Sequence, residues 1–172
     1  ISPRDGGIHR VNVLHRGACG LLEWASSRDP LRDDGVALLA PEVRVDGRTL
    51  PLGALRWDRL ERWIPRFRAE PEPGLVVHGT LCAPGGGEVL LPGAVYLLEV
   101  ENGSREERAL EVGLAGEWRW SLRTVESSRP LGTPNRVAVV EEGRGLVLEL
   151  GGEPTLAALA LVSSGDGVVY EA

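Results

Sequence analysis

Trp118 and Trp120 are the residues with the clearest chemical potential in this sequence. They stand two apart in Glu117-Trp-Arg-Trp-Ser-Leu-Arg123, a run that reads as a strand, so both side chains point the same way. Exposed, such a pair forms a platform on which sugar rings stack, with Arg119 or Arg123 as a hydrogen-bonding rim. Buried, the pair is half of a sandwich core, the commoner fate of a bulky indole. The same reasoning weighs Trp24, Trp57 and Trp63 toward the core.

Two other spacings suggest metal chemistry. His15-x3-Cys19 and His78-x3-Cys82 match one another and together contain the ligands of a two-Cys, two-His zinc set. Residues four apart on a strand lie about 13 Å from one another at roughly 3.3 Å per residue, so one strand cannot bring both to a single ion. A thiol in a strand is more simply a small core hydrophobe. Asp29, Asp33 and Asp34 are oxygen donors in a loop-like segment, but the alternation of an EF-hand loop is missing and a solvated loop explains them. The reading is therefore no metal and no cofactor.

Catalytic arrangements are equally incomplete. A glycosidase needs two carboxyl groups roughly 5–10 Å apart across a sugar, and no pair stands out. Glu106-Glu107 and Glu141-Glu142 adjoin turns, where solvated charge is ordinary. There is no Gly-x-Ser-x-Gly elbow and no Cys/His/Asn signature. Pro84-Gly-Gly-Gly87 precedes no Lys-Ser or Lys-Thr, and the chain contains no Lys at all. No complete catalytic site is legible in these residues.

Composition narrows the partners. The net charge of −6 is spread along 172 residues, and the densest basic segment, Arg56 to Arg68, also holds Asp58 and Glu61. A phosphate-binding face requires a concentrated basic patch, so nucleic acid is not expected. No apolar run approaches the roughly 20 residues of a membrane-spanning helix, so no membrane partner is expected either. Two cysteines do not make a disulfide framework. Met is absent, and the chain is read as one domain, 1–172, of a longer or processed polypeptide.

The elements that must position these residues are strands. Asp46-Gly47 separates Glu42-Val-Arg-Val45 from Arg48-Thr-Leu-Pro-Leu52, and Asn102-Gly103 separates Ala94–Glu101 from Ser104–Leu114. Both dipeptides suit a tight hairpin, whose central residues take positive φ. Gly143-Arg-Gly145 joins Arg136–Glu142 to Leu146–Leu150, and Ser163–Gly167 joins Thr155–Val162 to Val168–Glu171. Leu75–Cys82 and Glu117–Arg123 add further strands, while Pro71-Glu-Pro-Gly74 reads as a turning connection. Turn signals every 8–14 residues predict an all-β, antiparallel two-sheet β-sandwich. One segment admits two readings: Trp57, Leu60, Ile64 and Phe67 have helical spacing, giving a short helix near 55–64 that Pro65 would end, or they line an irregular strand.

Ala94-Val-Tyr-Leu-Leu-Glu-Val-Glu-Asn-Gly-Ser, with Ala109-Leu-Glu-Val-Gly-Leu-Ala-Gly-Glu-Trp, resembles a segment of the N-terminal supersandwich domain of bacterial (α/α)6-barrel glycoside hydrolases and phosphorylases. Asn135–Leu150 is similar in texture, and the resemblance covers about residues 75–162. It implies a sandwich that packs on a separate catalytic barrel, which carries the catalytic carboxylates, so no catalytic residue transfers to this chain. The expected function is a non-catalytic accessory domain of a carbohydrate-active enzyme, its partner a catalytic barrel or another protein domain. The alternatives are a carbohydrate-binding module using exposed Trp and a structural domain without ligand.

Overall fold

The computed structural model describes residues 4–15, 20–25, 37–83, 94–117, 119–123, 128–132, 136–140, 145–151 and 156–161. Alternation shows why the central strands form. In β7 (Leu75–Cys82), Leu75, Val77, Gly79 and Leu81 are buried, while Val76, His78, Thr80 and Cys82 between them are half-buried. That period of two belongs to a strand with one face on a core. β5 (Arg56–Leu60), β6 (Ile64–Glu72), β7 and β8 (Val95–Asn102) pair in chain order as one antiparallel sheet. In a second sheet β3 (Ala40–Val45) lies between β4 (Arg48–Leu50) and β9 (Leu110–Ala115). One apolar cluster draws on both, with Val43, Val45 and Leu50 from the second sheet meeting Phe67, Ala69, Leu75, Val77 and Leu81 from the first.

A second pair of sheets repeats the arrangement. β1 (Arg10–His15), β2 (Gly20–Ala25), β10 (Arg119–Arg123) and β11 (Ser128–Gly132) form the order β1-β2-β10-β11. β12 (Arg136–Val140), β13 (Gly145–Leu150) and β14 (Leu156–Leu161) form the other sheet. Leu22 of β2 and Leu148 of β13 centre a smaller apolar cluster, with Leu131 and Leu150 against it. Trp24 packs against both clusters and joins them. The chain thus forms the antiparallel all-β, sandwich-like fold expected from its sequence, its described strands shared among four open sheets where two were expected, with no helix among the described residues.

The segment with two readings is a hairpin. Leu60 pairs with Ile64, Asp58 with Arg66 and Trp57 with Phe67. Trp57 and Phe67 meet edge-to-face with ring centroids 5.3 Å apart, and Phe67 is fully buried. A helix over 55–64 would forgo this cross-strand pair, whose burial and edge-to-face contact favour the sheet. The short helix is therefore absent.

The Asp46-Gly47 turn forms as its residues suggest. Both have left-handed backbones, φ 51° and 75°, and Val45 pairs directly with Arg48. Pro73-Gly74 also closes a two-residue turn, with Glu72 opposite Leu75 and Gly74 at φ 80°. Asn102-Gly103 does not make the expected hairpin. β8 pairs with β7, whereas β9 pairs with β3 in the other sheet. Neither Asn102 nor Gly103 has positive φ. Instead the Asn102 side chain accepts hydrogen bonds from the Ser104 amide (3.1 Å) and hydroxyl (2.7 Å), a local turn that competes with the tight hairpin. The Gly103 amide donates to Gly74 O at 2.7 Å, which continues the β7–β8 pairing, and the chain passes to the other sheet between Gly103 and Leu110. β12 and β13 pair antiparallel, as expected of the hairpin partners read there, and residues 141–144 between them lie outside the described residues. The proposed turn and strand at 163–171 lie outside the described residues, and β14 pairs with β13.

Candidate interaction surface

The outer face of the β5-β6-β7-β8 sheet divides into a charged part and an apolar part. Register places Arg56 beside Arg68, Arg68 beside His78 and His78 beside Glu99. The next level runs Asp58, Arg66, Thr80, Leu97. Two residues further along each strand stand Leu60, Ile64, Cys82 and Val95, and Trp63 sits at the β5–β6 turn beside them. Leu60 is 41% exposed, Trp63 67%, Val95 48% and Leu97 53%. Leu60, Val95 and Leu97, with half-buried Ile64 and the free thiol of Cys82 between them, make one end of the face hydrophobic, and exposed Trp63 stands in the turn that closes this end.

Trp63 is held outward by its turn. Glu61 and Arg62 have positive φ, 50° and 69°, without a glycine, and the Trp63 amide donates to Leu60 O at 3.2 Å. Left-handed backbone is costly for residues with a Cβ, so the turn persists because the flanking pairs Trp57–Phe67 and Leu60–Ile64 fix it. Its consequence is an indole standing in water.

The boundary of the apolar end is a paired charge. Arg66 Nε and Nη2 donate to the two Asp58 carboxylate oxygens at 3.0 and 2.6 Å. These hydrogen bonds from Arg66 hold the Asp58 carboxyl below its usual range and push the Arg66 guanidinium up. Beyond it, Arg68 pairs with Glu70 (3.4 Å), and His78 Nε2 lies 3.7 Å from Glu101. The face therefore presents bound charge next to unbound hydrophobe.

The residues singled out from the sequence stand elsewhere. Trp118 lies outside the described residues. Trp120 is on β10, its Cα opposite Trp24 of β2 and Gly132 of β11. Arg123 is opposite Leu21 and Ser128. The side chains of Trp120 and Arg123 are outside what the structure describes. Arg119 is exposed and donates from Nε to Glu117 Oε1 at 2.8 Å. His78 and Cys82 share the outer face of β7 two alternations apart, and His15 lies on β1 while Cys19 falls outside the described residues. Among the described residues no three His, Cys, Asp or Glu side chains gather as an ion site. Asp29, Asp33 and Asp34 also lie outside them.

Trp63 is the residue that composition-level reasoning misses. Its signal was present as a mirror about Arg62: Leu60 and Ile64, Asp58 and Arg66, Trp57 and Phe67 are equidistant from it. Such symmetry of like or complementary residues marks a hairpin and puts Trp63 at its apex. No protein family, curated protein or solved structure matches this chain.

Proposed function

We propose that this chain is an accessory β-sandwich domain that docks onto a separate protein domain through the apolar end of the outer face around Trp63. The observation that carries the reading is the exposure of Leu60, Val95 and Leu97 at one end of a sheet whose β5–β6 turn there exposes Trp63. Exposed apolar side chains gathered beside satisfied charges are what a protein interface looks like before it is covered, and Trp is a common anchor of such interfaces. The resemblance of residues 94–118 to the sandwich of (α/α)6-barrel glycoside hydrolases and phosphorylases supplies the partner in this proposal, a catalytic barrel acting on carbohydrate. The strands that carry that resemblance are β8 and β9, which lie in different sheets. In this role the chain supports the barrel and leaves the chemistry to it.

The second reading, direct grip of a sugar, is favoured by the same exposed indole with the Asp58–Arg66 pair nearby. One experiment separates them. The chain is co-expressed with the (α/α)6-barrel polypeptides of its own organism, as wild type and as Trp63→Ser, and each is titrated with soluble glycans while Trp fluorescence is followed. Co-purification with a barrel, lost in Trp63→Ser with the far-ultraviolet spectrum unchanged, supports docking. A saturable glycan response abolished by the same substitution, with no barrel retained, supports the sugar-binding module instead. Neither response leaves the docking proposal without its partner and sinks it.

A further inference from the structure

The β5-β6-β7-β8 sheet has two edges, and their chemistry differs. β5 is five residues long and exposes Arg56, Asp58 and Arg59. Short, charged edges resist pairing with another chain. β8 is eight residues long, and its outer face carries Val95, Leu97, Glu99 and Glu101, all exposed. Among the described residues its one ladder partner is β7. Among the described residues none of Val95 to Glu101 makes a backbone hydrogen bond beyond that ladder. In an antiparallel strand alternate residues turn both N–H and C=O to the same neighbour, so one alternate set in β8 offers a row of open donors and acceptors.

We propose that β8 is a strand-addition site that takes an extended peptide of another protein, antiparallel to it. The peptide places basic side chains opposite Glu101 and Glu99 and apolar ones opposite Leu97 and Val95. Main-chain hydrogen bonds hold such a strand, and the side chains beside it set the choice of sequence. The order along β8, apolar then acidic, defines both the composition and the direction of the guest. A second copy of this chain fits poorly. Two β8 strands paired antiparallel about Leu98 would set Leu97 against Glu99 and Val95 against Glu101, pairing nearer the Asn102 end brings the acids together, and the register about Tyr96 that sets Val95 against Leu97 leaves only residues 95–97 in the ladder. The inference rests on the docking reading above and names how the partner is held.

The probe is the labelled peptide Arg-Val-Arg-Thr-Val-Thr-Val, whose first residue faces Glu101 and whose last faces Val95, titrated with the whole chain by fluorescence anisotropy at low salt. Saturable binding is expected. It should weaken about tenfold in the Glu99→Arg, Glu101→Arg double variant, since two exposed pairs each contribute a few-fold. A peptide with Glu in place of both Arg should then bind the double variant better than the wild type. N-methylation of the peptide on one of its two alternate residue sets should abolish binding. Binding indifferent to charge reversal and to both N-methylated forms overturns strand addition, as does no binding at about 1 mM peptide. Self-association by sedimentation that Leu97→Lys removes would make a second copy the occupant and also overturn it. Trp63→Ser keeps the two ideas apart: loss of barrel co-purification with no peptide binding at β8 leaves docking standing and strand addition refuted.

Discussion

The ring of Phe67 on β6 occupies the space directly above Gly79, its cross-strand partner on β7. A Cβ at Gly79 would overlap the ring, and one at Gly6, where φ is 70°, would come within 2.6 Å of Phe67 Cε1. The one phenylalanine of the chain is thus clamped between two glycines and is completely buried. Gly79 is required for close approach, not for flexibility.

Gly79→Ala is therefore an overpacking mutation despite adding a single methyl. It should destabilise the domain by about 1–3 kcal/mol, and Phe67→Ala by about 3–5 kcal/mol through the cavity it leaves. Urea unfolding at constant m-value measures both. The double variant Gly79→Ala, Phe67→Leu should recover part of the Gly79→Ala loss, because the two sites are in contact and do not add. A Gly79→Ala protein as stable as wild type would disprove the clamp.

Tyr96 ties the chain's beginning to this same region. Its hydroxyl donates to Gly6 O at 2.8 Å, and burial, with the nearby Asp5 charge, pushes its pKa well above the ordinary value. A raised folded pKa means the folded state holds the proton more tightly than the unfolded one. Stability is then complete below the unfolded value of about 10 and falls as pH rises above it. Tyr96→Phe should cost about 1 kcal/mol at neutral pH from the lost hydrogen bond and should flatten the alkaline fall. Denaturation midpoints at pH 8 and above pH 10 test this. An alkaline slope unchanged by Tyr96→Phe would refute it.

How far the fold was legible follows from which forces are local. Asp46-Gly47 formed its hairpin because both residues accept positive φ and the flanking strands were already complementary. Asn102-Gly103 carries the same chemistry, yet β8 and β9 part there because β9 finds Val43 and Val45 in the other sheet. Strand partnership is a long-range property that turn residues alone do not determine. The segment 57–67 kept two readings for a related reason, since residues mirrored about a turn can also coincide with a helical stripe. The exposure of Trp63 was legible only once that mirror was recognised, and the choice between stacking platform and core for Trp118 and Trp120 depended on a partner sheet that no local pattern names.

That contrast between the two Asx-Gly turns is measurable. Gly47 has φ 75° with open space around it, so Gly47→Ala meets only backbone strain and should cost about 1 kcal/mol. Gly103 lacks positive φ, and a Cβ there would make an ordinary 3.4 Å contact with Gly74 O. Gly103→Ala should change stability by no more than about 0.5 kcal/mol. Equal costs at the two positions, by thermal or urea unfolding, would mean that Gly103 also sits in a left-handed turn and that the crossover described above is wrong.

The exposed indole gives the most direct test of the candidate surface. Trp63 is 67% exposed, whereas Trp24 and Trp57 pack against the larger core cluster. Trp63→Phe should remove a red-shifted, acrylamide-accessible component from the emission while changing stability by no more than about 0.5 kcal/mol, as expected of a surface site. Trp57→Phe should instead remove a blue-shifted, protected component and destabilise, because it disrupts the edge-to-face contact with Phe67. If the two variants lose indistinguishable components, Trp63 is covered in solution. In that case the apolar end of the sheet is already occupied within the chain or by another copy, and sedimentation of the wild type decides between them.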